Sequence, residues 1–212
     1  MNFWSYHRAL LDSELEKYRE YFSGVVVDIG GGQKRGDFIR FNKTDFVIVD
    51  TYLDYYPTIL ADAHRLPIKS GVVDCVKMTE MIHYLSDPQA AIDEAYRILK
   101  PSGVLILSSP WNVGSMLDFT EKQRYSEDIL RELLTMFTIV EIKKQGLFFT
   151  VIGNMLKQGI LSVVSRFRYL LYLTIPLIDV MVKLDTLRFV KSSPYLSSYT
   201  TGYFIVARKE KK

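Results

Sequence analysis

The chain has one cysteine, Cys75, among 212 residues, so no disulfide can close within it. That scarcity fits a reducing, cytosolic compartment, and Cys75, set in an apolar stretch, reads as a small core residue. Histidine is nearly as rare, with three in all. No Cys/His cluster has metal-ligand spacing, so no metal is expected. No window holds the roughly 18 uncharged apolar residues that a membrane-spanning helix needs. The longest run, residues 169–178, stops at Asp179. Acids and aromatics interrupt the opening MNFWSYHRALLDSELEKY, which argues against a secretory leader. A formal charge of +3 is too mild to call for nucleic acid as a partner. Internal repeats and low-complexity segments are missing as well.

What remains is a chain that is 48% hydrophobic, enough for a substantial core, and of a length that fits one domain over residues 1–212. Leu10, Leu11, Leu15, Tyr18 and Phe22 mark an amphipathic opening helix with Glu14 on its wet edge. GVVVDIG is a short continuous apolar run of the kind buried on both faces of a parallel sheet. Further strands are expected at 45–50, 58–62, 72–80 and 103–109. Between the last two, Asp87 is placed to cap a helix and Pro88 to begin it. Ala91, Ile92, Ala95, Ile98 and Leu99 form its apolar stripe, and Pro101 with Gly103 stop it. YSEDILRELLTMF adds a helix, and FTIVEIKK and TTGYFIVARK add two strands. Alternation of this kind predicts an α/β fold, a Rossmann-like open sheet with helices on both faces.

The run VVVDIGGG ends a strand with Asp28 and three glycines, Gly30, Gly31 and Gly32. In an open parallel sheet, ligands bind at the carboxyl ends of the strands, and a glycine turn there lets backbone approach a ligand. An acid about twenty residues on takes ribose hydroxyls, a place Asp50 fills. The dinucleotide pattern G-x-G-x-x-G fails, because Arg35 stands at the third glycine. The phosphate loop fails too, because Asp37 stands where its lysine should be. D-x-G-x-G is met by Asp28, Gly30 and Gly32. An acid beside the turn suits a cationic ligand better than a pyrophosphate.

In these letters the chain resembles the class I S-adenosylmethionine-dependent methyltransferases, particularly the branch acting on small molecules. VVVDIGGG is similar to that family's first motif and VIVD to its second strand. LADAHRLPIKSGVVDCVKMTEMIHYLSDP and AAIDEAYRILKPSGVLILSSP are similar to its later motifs. The likeness covers residues 25–110, in order and in register. It implies a seven-stranded sheet in the order 3-2-1-4-5-7-6 with an antiparallel last strand, and S-adenosylmethionine as cofactor. It places Asp28, Gly30, Gly31 and Gly32 against the methionine part. Asp50 would hold the ribose with Thr51 and Tyr52 beside it, Asp62 and Ala63 would face the adenine, and Thr79 and Glu80 would floor the pocket near the methyl. Lys34 departs from the pattern, standing where a further glycine is common, and the loop runs on to Gly36.

His83 is the candidate for acid–base work, since imidazole titrates near neutrality, though the same position can simply shape the pocket. Tyr84, Trp111, Asn112 and Tyr125 could line an acceptor pocket or pack. Asp74 is expected to orient the fourth strand, and His7 and His64 to lie at the surface. Residues 146–191 form an insertion dense in Leu, Ile, Val, Phe and Tyr, expected as helices near 159–174 and 177–190 split by Pro176. Six cations there, Lys157, Arg166, Arg168, Lys183, Arg188 and Lys191, face only Asp179 and Asp185, so the chain's positive charge is local to this stretch. Three readings stay open for it: a helical cap or homodimer contact, a roof over an apolar acceptor, or a surface that lies on a membrane interface, peripheral to the inner face. The function expected is methyl transfer to a small-molecule acceptor, apolar, lipid-linked or saccharide. An inactive cofactor-binding scaffold and, remotely, an NAD-dependent oxidoreductase are the alternatives.

Overall fold

Three successive valines, stiff at χ1, favour extended backbone and build β1 (Gly24–Ile29). The computed structural model describes residues 5–32, 44–114, 120–162 and 172–210. Its other strands are β2 (Thr44–Asp50), β3 (Ile59–Leu60), β4 (Val73–Thr79), β5 (Leu99–Pro110), β6 (Thr138–Lys144) and β7 (Gly202–Arg208). They form a single seven-stranded sheet in the order β3-β2-β1-β4-β5-β7-β6, the order that the resemblance implied. The first five strands pair in parallel. Ser102 N donates to Lys209 O while Trp111 N donates to Thr201 O, so partner numbers fall as β5 advances and β7 runs antiparallel to it.

Parallel pairing sets the functional edge. Asp28 stands beside Ile48 on β2 and Lys77 on β4, Asp50 beside Leu60, and Thr79 beside Ser108 on β5. Val26, Val27, Val76, Met78, Leu105 and Ile106 are buried along the same strands, each contributing roughly 1.5–3 kcal/mol of transfer free energy. Helix α1 (Tyr6–Lys17) buries Leu11 and Leu15. Glu14 is not simply wet: Lys143 Nζ lies 2.9 Å from its Oε1.

Helix α2 (Pro88–Ile98) begins as its letters imply, with the Asp87 carboxylate accepting the Ala90 amide at 3.0 Å. It ends earlier than expected. Lys100 precedes a proline and is therefore biased to extended backbone, so β5 opens at Leu99 and Pro101 lies inside the strand. Helix α3 (Glu127–Leu133) is capped by Ser126.

The described residues divide into two compact units. One is drawn from Glu14–Ser109, Met116–Lys143 and Phe204–Lys212 and carries most of the sheet; the other is drawn from Met1–Ser13, Pro110–Ser115 and Lys144–Tyr203 and is mainly helical. The helical unit contains α4 (Phe148–Ser162), α5 (Ile175–Val182), a 3-10 turn at Lys183–Thr186 and α6 (Arg188–Ser192). A side chain at Gly153 would come within 2.5 Å of Val182, so glycine is what lets α4 and α5 touch. The insertion's helices therefore differ from expectation. The first begins at Phe148, and Pro176 sits in the first turn of α5, where its missing amide hydrogen costs nothing. The middle of the expected 159–174 helix, with Arg166 and Arg168, lies outside the described residues.

Candidate functional site

Gly30, directly after β1, has φ +74°, and its amide donates to Val49 O at 2.8 Å. A Cβ there would meet Met81 Cβ at 2.8 Å, so neither the conformation nor the space admits a side chain. At Gly31 a Cβ would strike the Asp28 carboxylate at 2.3 Å. The bare backbone is thus pressed directly against that acid, and Gly32 lies beside the Tyr55 ring. Lys34 and Gly36 fall outside the described residues, as do Arg35 and Asp37.

Asp28 is buried, and Lys77 Nζ lies 2.8 Å from each of its oxygens. Lys77 is buried too, so the pair is a desolvated ion pair beside the turn. The acid read as a partner for a cationic ligand has its charge matched before any ligand arrives. Lys77 carried a signal of its own: it is the one cation in the mostly apolar strand segment VVDCVKM, and buried lysines are rare without a partner.

At the tip of β2, Asp50 Oδ1 accepts the Tyr52 amide at 2.9 Å, which fixes the carboxylate at the strand's end. Thr51 and Tyr52 follow it, exposed. Beyond β3, Asp62 accepts both the His64 amide at 3.0 Å and its Nδ1 at 2.5 Å. The bond from the His64 amide, aided by the imidazole, holds the Asp62 carboxyl below its ordinary range. Its side chain is still mostly exposed, and Ala63 beside it is buried. His64 is therefore not a free surface residue but the group that orients Asp62.

The end of β4 holds a strained residue. Glu80 has φ +53°, a left-handed conformation unusual for a non-glycine and frequent at functional sites. Ser108 keeps it there: its Oγ donates to Glu80 Oε1 at 2.7 Å, and the Glu80 amide donates to the Ser108 carbonyl at 3.2 Å. Thr79 is half-buried beside it. His83, in the turn Ile82–Tyr84, is buried with its ring 4.0 Å from that of Tyr84, and its carbonyl accepts the Lys122 amide. Tyr125 is buried, donates to Ile82 O and accepts from Gln123 Nε2; burial pushes its hydroxyl pKa up. Asp74 joins strands, accepting the Val25 amide and pairing with Lys100. Cys75 is fully buried, and burial raises its thiol pKa far above the ordinary value, as suits an inert core residue.

Asn112 and His7 belong to the helical unit. Asn112 donates to Thr200 O. His7, expected at the surface, is buried there, with Nδ1 3.0 Å from Thr201 Oγ1. Thr201 gives its own hydrogen to Gln145 O at 2.6 Å, so His7 donates from Nδ1. Among the described residues no group of three or more His, Cys, Asp or Glu could hold a metal.

The site residues thus gather at the carboxyl ends of four neighbouring parallel strands: an acid near the end of β1 with bare backbone after it, a carboxylate closing β2, another beyond β3, and a strained glutamate after β4. Carboxylates at the strand ends suit ribose hydroxyls and an exocyclic amine, and the amide-rich turn suits close approach of a ligand. The residues present fit an adenosine-containing cofactor.

The family described as methyltransferase domain matches residues 39–107. A demethylmenaquinone methyltransferase of Protochlamydia amoebophila is 39% identical over 57 residues, 26% of this chain and 24% of its own length. This chain spans about a quarter to a third of the length of the curated relatives it matches. Among solved structures, a SAM-dependent methyltransferase from Archaeoglobus fulgidus superposes with a TM-score of 0.59 at 20% identity, covering 95% of this chain and 94% of that one. The [4+2]-cyclase SpnF superposes with a TM-score of 0.63 at 16% identity, covering 96% of this chain and 82% of that one.

Proposed function

We propose, on the premise that this chain is a class I S-adenosylmethionine-dependent methyltransferase, that it transfers the cofactor's methyl group to a small apolar acceptor. The observation that carries this reading is the convergence, at one sheet edge, of the turn at Gly30, Asp50 and Asp62 on successive parallel strands. Asp50 would take the ribose hydroxyls, with Thr51 and Tyr52 beside it. Asp62, oriented by His64, would accept from the adenine amine, with Ala63 against the ring. Asp28 and the backbone of Gly30, Gly31 and Gly32 would lie along the methionine part, and Thr79 and Glu80 would floor the pocket. The bound cofactor supplies an electrophilic methyl on a cationic sulfur.

The chain's own share is alignment and exclusion of water. Glu80, whose carboxylate is held by Ser108, would offer a fixed negative charge to the cofactor's cationic part. His83 is the residue offered as proton acceptor for a hydroxyl substrate, being the imidazole next along the chain from Glu80. A relative named for demethylmenaquinone supports an acceptor of that lipid-soluble kind.

A second reading is a cofactor-binding module of this fold that does not transfer a methyl group. A cyclase with this fold supports it, because fold does not dictate chemistry. Calorimetry with S-adenosylmethionine and S-adenosylhomocysteine tests the first reading. Asp50→Ala should weaken both by about 1–3 kcal/mol; equal affinity for wild type and variant removes Asp50 from the site. Binding without turnover on any quinone or saccharide acceptor would favour the module.

A further inference from the structure

We infer that residues 173–191 of the helical unit form a docking face for an anionic bilayer surface. Of the two acids of this stretch one is buried, and the other, Asp179, is exposed but hydrogen-bonded. Asp185 is buried, and its carboxylate accepts the amides of Leu147, Phe149 and Thr150 at 2.8, 3.0 and 2.8 Å, capping α4. Asp179 accepts the Tyr6 hydroxyl. The three cations Lys183, Arg188 and Lys191 are all exposed.

Apolar side chains share that exposure. Leu177 and Val180, one turn apart on α5, are 71% and 62% exposed, and Leu173 just before the helix is 71% exposed. Phe189, between two of the cations, is 55% exposed. A cluster of large apolar groups in water marks an interaction surface. Apolar groups interleaved with an excess of cations, here three exposed cations to one exposed acid, are the composition that enters the headgroup region of a membrane: the apolar groups sink and the cations meet phosphates. Charge also decides against a second copy. A two-fold contact through this face would set three cations against three cations, which repel. Among the described residues no helix is long and apolar enough to cross a membrane, so the contact lies in the interface plane.

This inference stands apart from the acceptor reading and would survive its failure. The test is cosedimentation of the full chain with vesicles of phosphatidylcholine, or of phosphatidylcholine mixed with phosphatidylglycerol, at low and high salt. Wild type should pellet with the anionic vesicles at low salt and stay in solution with the neutral ones. Lys183→Glu/Arg188→Glu/Lys191→Glu should weaken association by roughly a hundredfold. Leu177→Asp/Val180→Asp should weaken it at unchanged surface cations, with Leu177→Ser as the milder substitute if melting shows that the double variant is misfolded. No pelleting with anionic vesicles overturns the inference, as does equal pelleting with both kinds, or pelleting that none of these variants lowers. A dimer in light scattering that Leu177→Ser dissolves would overturn it in favour of self-association.

Discussion

The sheet unit and the helical unit distribute polarity in opposite ways. In the sheet unit the strands bury Val, Ile, Leu and Met, and the buried polar side chains are few: Asp28, Lys77, His83, Ser108 and Ser109. In the helical unit the interior holds His7, Gln145, Thr150, Asn154, Lys157, Asp185, Thr200 and Thr201, while leucine, valine and phenylalanine face outward. Lys157 Nζ lies 4.5 Å over the Tyr6 ring, a cation met by an aromatic face instead of an acid. Gln145 is buried with both amide atoms lacking a hydrogen-bond partner. The difference teaches that the two units are held by different forces. Apolar transfer dominates the first, and in the second most buried polar groups depend on a particular partner, Gln145 excepted.

The two units' buried acids offer the sharpest way to break this comparison. In the sheet unit, Lys77→Met strands Asp28 in a buried site and should cost about 3–5 kcal/mol in chemical denaturation. Pairing it with Asp28→Leu should recover most of that loss, because two apolar groups can replace a buried pair. Recovery in stability without recovery of cofactor affinity would separate the pair's structural part from its binding part. In the helical unit, Asp185→Ala leaves three amides without their acceptor and should cost about 2–3 kcal/mol. A loss confined to residues 144–203 in hydrogen exchange would show that the helical unit opens by itself; uniform loss of protection would show one cooperative fold.

Acid titration gives a smaller effect and belongs to the sheet unit. The Arg97 guanidinium holds the Glu94 carboxyl below its ordinary range. At Asp74, burial raises the pKa, but the bonds from Lys100 and the Val25 amide outweigh it and the net shift is downward. Carboxyls depressed in the folded state stabilise it above their unfolded pKa, and that stabilisation is lost as pH falls through the folded value. Thermal melting should therefore be flat through neutrality and decline below about pH 4. A decline that begins near pH 6 would point to histidine instead.

How much was legible in the letters differs between the units for the same reason. β1, the cap at Asp87, the acid Asp50 and the glycine turn are local features, visible as short runs and spacings of a few residues. Residues that act across long separations were not. Lys77 meets Asp28 only because β1 and β4 pair in parallel with those two residues side by side. Asp185 caps a helix that begins more than thirty residues before it. His7 and His64 carry no pattern, yet one is buried on Thr201 and the other orients Asp62.

By itself the order of residues determined the alternation of strands and helices, the strand order that the resemblance implied, and the set of acids that end the parallel strands. The alternation and the strand-end acids follow from backbone preference and hydrophobic period, which act over neighbouring residues, whereas the strand order came from the resemblance alone. Only the tertiary structure decided which of those acids keep an exposed carboxylate. Asp62 keeps a mostly exposed side chain, whereas Asp28 is buried and taken up by Lys77. Packing sets that division, because a carboxylate removed from water must find its donors wherever the fold brings them.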